Sequence, residues 1–407
     1  MDFWLILYII DWGLFGIVTI AVLYMLIYTI ASLFFHKNEV PKSKQQNRFI
    51  ILIPAYKNPN VIYTVKSILA QSYSQRQFDV TVISDHNDEM TNFRLAQEPV
   101  TLLTPNFEKS SKAKAFQLAI NNLPQFKIYD IAIVLDGGSV VDTEFLTQMN
   151  DAFESAGTKA IQAHRVSRNR NSTSARMGSV FEEINNSIFR RGHLAMGLSA
   201  GICGGGYAIE FNWFKENVFK LKSQWEVKEI ESLLLRQNVY IDYFDDIYVY
   251  DEKKDTAEEF NRERGTWIKA QFFAAIRNLH YLPGALLSQN YNWLDKIIQW
   301  LMIPRMLMMA IIIGMGLILP AIYMSLVFKW WALFAITLLI FALATPDYLV
   351  DDHWESTFFK SPLILMKSIP GLSGIADYLD RIDIDRRYTK KDKKKKDKKK
   401  KDKKKKK

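Results

Sequence analysis

The sequence predicts an α/β domain with a mostly parallel sheet flanked by helices, held in a membrane protein with about three transmembrane helices. Three observations carry this. Long uncharged runs sit at both ends, short apolar strands alternate with helix-spaced segments between them, and acidic residues stand just past two of those strands. Among the 407 residues, 49% are hydrophobic and 24% charged, which excludes a disordered chain and a fibrous repeat. A single cysteine, Cys203, excludes an intrachain disulfide or a thiolate metal cage.

The first span is expected from Trp12 to Phe35, 24 residues without a charge, long enough as a helix to cross a hydrocarbon core of about 30 Å. A cleavable signal would start basic and end in small residues, whereas this segment ends in Leu33, Phe34 and Phe35, so it is expected to stay attached. Uncharged runs at Met306–Phe328 (23 residues) and Trp330–Pro346 (17 residues) predict a hairpin with Lys329 and Trp330 at its turn. Lys37, Lys42, Lys44 and Arg48 follow the first span, while Asp2 and Asp11 precede it. That bias places the middle of the chain in the cytoplasm of a multi-pass inner or plasma membrane protein. Stretches at Tyr291–Pro304 and Phe358–Ile369 read as amphipathic interfacial helices.

Inside the middle region, Phe49–Ile53, Phe78–Ile83 and Ile131–Leu135 are expected strands, and Val61–Gln71 and Lys112–Ile120 expected helices. Ligands of such sheets bind beyond the strand carboxyl ends, where Asp85 and Asp136 stand. Strand-end carboxylates also cap helices and bond turns, so the pair indicates a site without defining it. No G-x-G-x-x-G loop or Walker lysine follows the first strand, which weighs against a dinucleotide oxidoreductase or nucleoside triphosphatase. The segments are 1–36 (span), 47–280 (cytoplasmic domain), 288–346 (interfacial helix and hairpin), 347–389 (membrane-proximal) and 390–407. That last stretch holds 15 Lys and 3 Asp and carries +12, so the rest of the chain sums to −2 against a total of +10. It reads as a solvated disordered arm for an anionic membrane surface, with solubility or a phosphate polymer as alternatives. No specific nucleic acid is expected.

The motifs, in order, are Ile53-Pro54-Ala55-Tyr56, Ser84-Asp85-His86-Asn87-Asp88, Lys112-Ala113-Lys114-Ala115, Leu135-Asp136-Gly137-Gly138, Gln162-Ala163-His164-Arg165, Glu182-Glu183-Ile184-Asn185-Asn186, His193 to Ser199, Gly204-Gly205-Gly206, and Arg262 with Arg264. Over residues 10–345 this succession resembles the membrane-anchored family 2 glycosyltransferases of GT-A fold, the group of cellulose and hyaluronan synthases. The resemblance implies inverting transfer of a sugar from a nucleotide sugar, UDP-linked in that group, to a membrane-proximal, lipid-linked or polysaccharide acceptor. It assigns Pro54, Ala55, Asp85, Lys112, Asp136, Arg262 and Arg264 to the nucleotide sugar, and His164, Gly204, Gly205 and Trp267 to the acceptor side. Mg²⁺ or Mn²⁺ would bind at Asp136. The implied partners are a nucleotide sugar, membrane lipid and another envelope-biosynthesis subunit.

Three departures fall on working positions. The metal pair Asp-x-Asp is Asp136-Gly137-Gly138, with Asp142 as an alternative second carboxylate. In Trp225-Glu226-Val227-Lys228-Glu229, Val227 stands where the base aspartate belongs, leaving Glu226 and Glu229 as candidate bases. Asn261-Arg262-Glu263-Arg264-Gly265 lacks the flanking Gln and Trp of its motif, with Trp267 two residues later. An active transferase with altered metal coordination and an inactive scaffold in envelope polysaccharide assembly are both compatible with this pattern. His164 and His193 have ordinary hydrogen bonding as their plain alternative, and the glycines a tight loop.

Overall fold

The computed structural model describes residues 3–37, 39–321, 324–351, 353–355 and 357. The expected interfacial segment Phe358–Ile369 and the lysine-rich tail lie outside them. Helix α1 (Phe3–Leu33) is followed by β1 (Phe49–Tyr56), α2 (Val61–Leu69), β2 (Phe78–Asp85), α3 (Glu89–Ala96), β3 (Thr101–Leu103), α4 (Lys112–Asn122), β4 (Ile131–Val134), β5 (Val140–Val141) and α5 (Phe145–Ala156). Then come β6 (Ala160–Ser167) and α6 (Thr173–Asn186), which runs through a π-helical stretch, Ser187–Gly192, into α7 (His193–Ala195). The domain continues with β7 (Tyr207–Glu210), α8 (Phe211–Asn217), α9 (Glu226–Arg236), β8 (Ile241–Asp251) and α10 (Ala257–Asn278). Helices α11 (Leu282–Leu287), α12 (Tyr291–Leu301), α13 (Arg305–Ile318) and α14 (Val327–Ala344) complete it.

The eight strands lie in the order β3-β2-β1-β4-β7-β6-β8-β5. Four neighbouring pairs are parallel (β3·β2, β2·β1, β1·β4 and β6·β8) and three antiparallel, because β7 returns against both β4 and β6 and β5 against β8. The sheet is therefore mixed, with its parallel half where the sequence reads βαβ. Alternation along β1 explains why this strand is apolar throughout. Ile50 and Leu52 join Phe116, Trp213 and Leu234 on one face, while Phe49, Ile51 and Ile53 join Val61, Val65 and Leu146 on the other.

β1 extends past Pro54, where the sequence alone stops it. Leu52 accepts a hydrogen bond from Leu135, so Pro54, two residues on, turns its missing N–H toward the same neighbour. β4 ends at Val134, so the absent donor breaks no ladder.

Helices at Leu5–Leu33 and Met324–Ala344 are long and apolar enough to cross a membrane. Helices α12 and α13 together form a candidate third, bent by 49° at Met302-Ile303-Pro304. The hairpin differs from expectation. Its turn lies in the short 3₁₀ segments Leu319–Ala321 and Met324–Leu326, and Lys329 sits inside the first turn of α14. Asp11, expected to flank the first span, is buried within α1. The two corrections share a cause: Lys329 pairs with Asp11, Trp330 Nε1 donates to it at 2.8 Å, and the ammonium lies 3.8 Å over the Trp12 ring. A paired charge is tolerated inside an apolar helix where a lone one is not.

Where α1 crosses the π-helical stretch, a Cβ on Gly192 would lie 2.2 Å from the Tyr28 carbonyl oxygen, so only glycine allows the contact. Beside it, His193 Nε2 lies 3.0 Å from Tyr24 Oη and 3.1 Å from Asp295, with Nδ1 2.7 Å from the Ile188 carbonyl. This is the plain reading of His193: it joins α1 to the domain. Helix α12 turns Trp293, Ile297 and Trp300 into the domain core, while Tyr291, Ile298 and Leu301 on the same helix stay exposed.

Candidate active site

A cleft of about 790 Å³ opens at the carboxyl ends of β1, β2 and β4. Pro54, Ala55 and Tyr56 from β1, Asp85 from β2, Asp136 after β4, Lys112 from the start of α4, Glu226 from the start of α9, and Trp267 from α10 all line it. The parallel half of the sheet places the residues of β1, β2, β4 and α4 there, since those strands end on the same side, while α9 and α10 bring in Glu226 and Trp267 from outside it.

Asp136 is held from every side. Its Oδ1 accepts from the Lys112 ammonium at 2.5 Å, and its Oδ2 accepts from the Gly205 N–H at 2.9 Å with Arg165 at 3.8 Å. Burial alone would raise its pKa, but Lys112 and Arg165 bring it down to about 2. Arg165 in turn binds Asp251 at 2.6 Å, and Lys253 joins Asp251 at 3.2 Å and the buried Glu182 at 3.3 Å. Arg165, Asp251 and Lys253 were not singled out from the sequence as donor-site residues. Arg165 stands next to His164 in a motif given to the acceptor, and β6·β8 pairing, which brings Asp251 beside it, is not written in local periodicity.

The donor set does not suit a divalent cation. Mg²⁺ and Mn²⁺ want free carboxylate oxygens, yet both oxygens of Asp136 are engaged and Asp251 is shared between Arg165 and Lys253. Among the described residues no group of three His, Cys, Asp or Glu is arranged to hold a metal. Asp142 does not supply the missing ligand; its carboxylate accepts from Tyr250 at 3.1 Å, away from the cleft lining.

The two candidate bases separate. Glu226 is buried in the cleft wall, 3.8 Å from Lys112, and burial raises its pKa against the pull of that ammonium. Glu229 turns away: its Oε2 accepts from the Lys222 and Ser223 N–H groups at 2.8 and 3.1 Å, and Oε1 pairs with Arg277. Val227 lines the cleft without a proton acceptor.

On the acceptor side, His164 is a buried structural group. It donates through Nε2 to Glu183 at 2.9 Å and through Nδ1 to the Asp245 carbonyl at 2.9 Å. Burial lowers its pKa, but the bonds to Asp245 and Glu183 carry it up to about 9. Gly204 and Gly205 serve Asp136. At Gly204, φ is +55° and a Cβ would strike Arg165 at 1.8 Å; at Gly205 it would lie 2.5 Å from the Asp136 backbone nitrogen. Arg262 is exposed on α10, and Arg264 points into a second cavity, so neither lines the donor cleft. The helical spacing of α10 separates them: only one face of that helix meets the cleft, and Trp267 is on it.

Asp85 is 2.6 Å from His86 Nδ1 and accepts from the Phe107 N–H at 3.4 Å, while Asn58 donates to the Gly137 carbonyl at 2.5 Å and so ties the loop after β1 to that after β4.

Among curated proteins, none matches the chain. Among solved structures, a mannosyltransferase of Pyrobaculum calidifontis in complex with GDP-Man and Mn²⁺ aligns at 14% identity and a TM-score of 0.51, covering 81% of this chain and 97% of its own. TarS of S. aureus, residues 1–349, aligns at 13% identity and a TM-score of 0.42, covering 82% and 91%. The first likeness shows the fold: a mixed α/β sheet flanked by helices, as in GT-A enzymes. A model described as glycosyltransferase-like family 2 matches residues 46–202, and one described as glycosyl transferase family group 2 matches residues 131–345, more than half of the chain. The chain therefore belongs to the family 2 glycosyltransferases.

Proposed function

We propose that the protein is a membrane-anchored inverting glycosyltransferase that takes a sugar from a nucleotide sugar, UDP-linked by resemblance, to a membrane-proximal acceptor. Its domain faces the cytoplasm, and an envelope-biosynthesis subunit is its expected protein partner. One observation carries the reading: Lys112 and Arg165 converge on Asp136 at the strand ends, with Glu226 across the same cleft. Two fixed cations suit a diphosphate leaving group, and the amino end of α4 adds a favourable field. A buried glutamate with a raised pKa suits removal of the acceptor hydroxyl proton, and a single such carboxylate fits one displacement with inversion. The nucleotide sits against Asp85 and the residues after β1. Trp267 walls the acceptor side.

Calorimetry of the full chain in detergent against UDP, GDP and their sugars, in EDTA and again with Mn²⁺, tests this, with released nucleoside diphosphate measured in parallel. Binding and turnover in EDTA are expected, with affinity weakened on the order of tenfold to a hundredfold in Lys112→Ala. Absence of nucleotide binding in every condition overturns the reading. Binding without turnover supports the second reading, a scaffold that keeps the donor site, which Val227 at the usual base position favours.

A further inference from the structure

A second cavity of about 170 Å³ lies between the domain and the apolar helices. Ala21 and Met25 of α1 form one wall, and Met302 to Met306, at the bend between α12 and α13, form another. It shares Lys228 and Trp267 with the donor cleft, so the two spaces meet at those side chains. At this size it holds a headgroup, well short of the roughly 300 Å³ at which drug-sized pockets begin.

Its charge is unbalanced. The guanidinium groups of Arg264 and Arg305 both lie over the Phe181 ring, at 5.1 and 5.6 Å. Among the described residues neither forms an ion pair; the one side-chain hydrogen bond from Arg305 goes to neutral Asn185 at 2.5 Å. The nearby carboxylate of Glu182 is already taken by Lys253 and Arg190, and Glu231 by Lys228 and Lys296. Arg264 Nε and Arg305 Nη1 are buried without a hydrogen-bond partner. So is the indole N–H of Trp300, a residue only 2% exposed. Two neighbouring cations and an unsatisfied donor, taken out of water together, cost free energy unless an anion joins them.

We propose that this cavity binds the phosphate headgroup of a membrane lipid. Arginines present paired donors that match phosphate oxygens, and Trp300 adds a third direction of approach. The occupant is a lipid because one wall of the cavity is α1, an apolar helix long enough to cross a membrane, along which an acyl or prenyl chain can lie. Through Lys228 and Trp267 the headgroup would reach the edge of the donor cleft, yet binding here does not depend on sugar transfer.

The test uses the full chain in detergent. Native mass spectrometry counts retained phosphatidic acid as the lipid phosphate is titrated, with inorganic phosphate as competitor. One saturable lipid is expected, with affinity reduced about tenfold or more in Arg264→Gln/Arg305→Gln, and about threefold in Trp300→Phe, which keeps the ring and removes only the donor. Replacing the 15 lysines at 390–407 with Gln removes the other basic site and should leave this saturable binding unchanged. Retention that ignores the arginine and Trp300 substitutions but falls with the tail lysines overturns the proposal. So does competition by inorganic phosphate at equal affinity, which would make the ligand a free anion. If the double variant fails to fold, Trp300→Phe alone decides. Nucleotide calorimetry on the same variants stays at wild-type affinity, so failure here is distinct from failure at the donor cleft.

Discussion

The donor cleft and the second cavity are neighbours built from opposite electrostatic rules. In the cleft the central cations are already matched: Lys112 to Asp136 and Glu226, and Arg165 to Asp251. In the cavity, Arg264 and Arg305 both lie over the Phe181 ring, and among the described residues neither has a carboxylate paired with it. A matched site is preorganised and holds its shape before ligand arrives, so it suits a transition state; an unmatched one stores a demand that only a ligand satisfies. Arg264 belongs to the second by geometry although its motif points to the first.

The largest expected effect breaks the cleft's chemistry and spares its binding. Glu226→Gln keeps the shape of the side chain and removes its basicity, so turnover should fall about 10²- to 10⁴-fold with nucleotide affinity changed little. Release of nucleoside diphosphate and calorimetry on the same sample separate the two. Unchanged turnover would remove Glu226 from the chemistry.

Next is the glycine that lets Asp136 sit where it does. Gly205→Ala drives a Cβ to 2.5 Å from the Asp136 nitrogen, a contact that only backbone movement relieves. A loss of about 3 kcal/mol is expected in denaturant unfolding, with weakened nucleotide binding. A variant of wild-type stability would show that the loop after Cys203 is loose and that the matched cleft is less rigid than it looks.

How far the sequence led follows the same division. The parallel half of the sheet was legible because apolar strands and turn residues are local signals, and Asp85, Lys112 and Asp136 arrived with it. What was missed depends on pairing at a distance. Arg165 meets Asp136 only because β7 inserts between β4 and β6, and Asp251 meets Arg165 only through the parallel β6·β8 ladder. Arg264 was misplaced because a motif gives spacing along a helix but not which cavity its face meets. Asp11 looked like a flank because a charge usually ends an apolar run; Lys329, 318 residues away, reverses that rule.

His164 extends the matched regime into the core, and pH reads it. Its pKa of about 9 stands above the ordinary unfolded value near 6.5. The protonated ring binds Glu183 and Asp245, so its contribution is complete below about pH 6.5 and is lost as pH rises through about 9, on the order of 3 kcal/mol. Asp245 runs the other way: held down to about 2 against burial, it contributes above its unfolded value and loses that contribution as pH falls toward 2. Unfolding midpoints between pH 6 and 10 should slope downward in the wild type and flatten in His164→Gln. An equal slope in the variant would assign the effect to other groups.

The smallest expected effect is the sharpest control. Glu229 is three residues from Glu226 in the first turn of α9, of the same chemistry, and equally eligible by sequence. Yet its oxygens face the Lys222 and Ser223 amides and the Arg277 side chain, which is partly exposed. Glu229→Gln retains an acceptor for the two amides and gives up only the charge opposite Arg277, so stability should drop by about 1 kcal/mol or less and turnover should stay within about twofold. Removing either glutamate costs the helix one negative charge at its amino end, so the dipole effect cancels from the comparison. A difference between the two variants then reports which space each carboxylate faces. If Glu229→Gln instead abolished turnover with nucleotide affinity intact, α9 would have to rotate on binding donor, and the matched cleft would be the resting form of a site that rearranges before it acts.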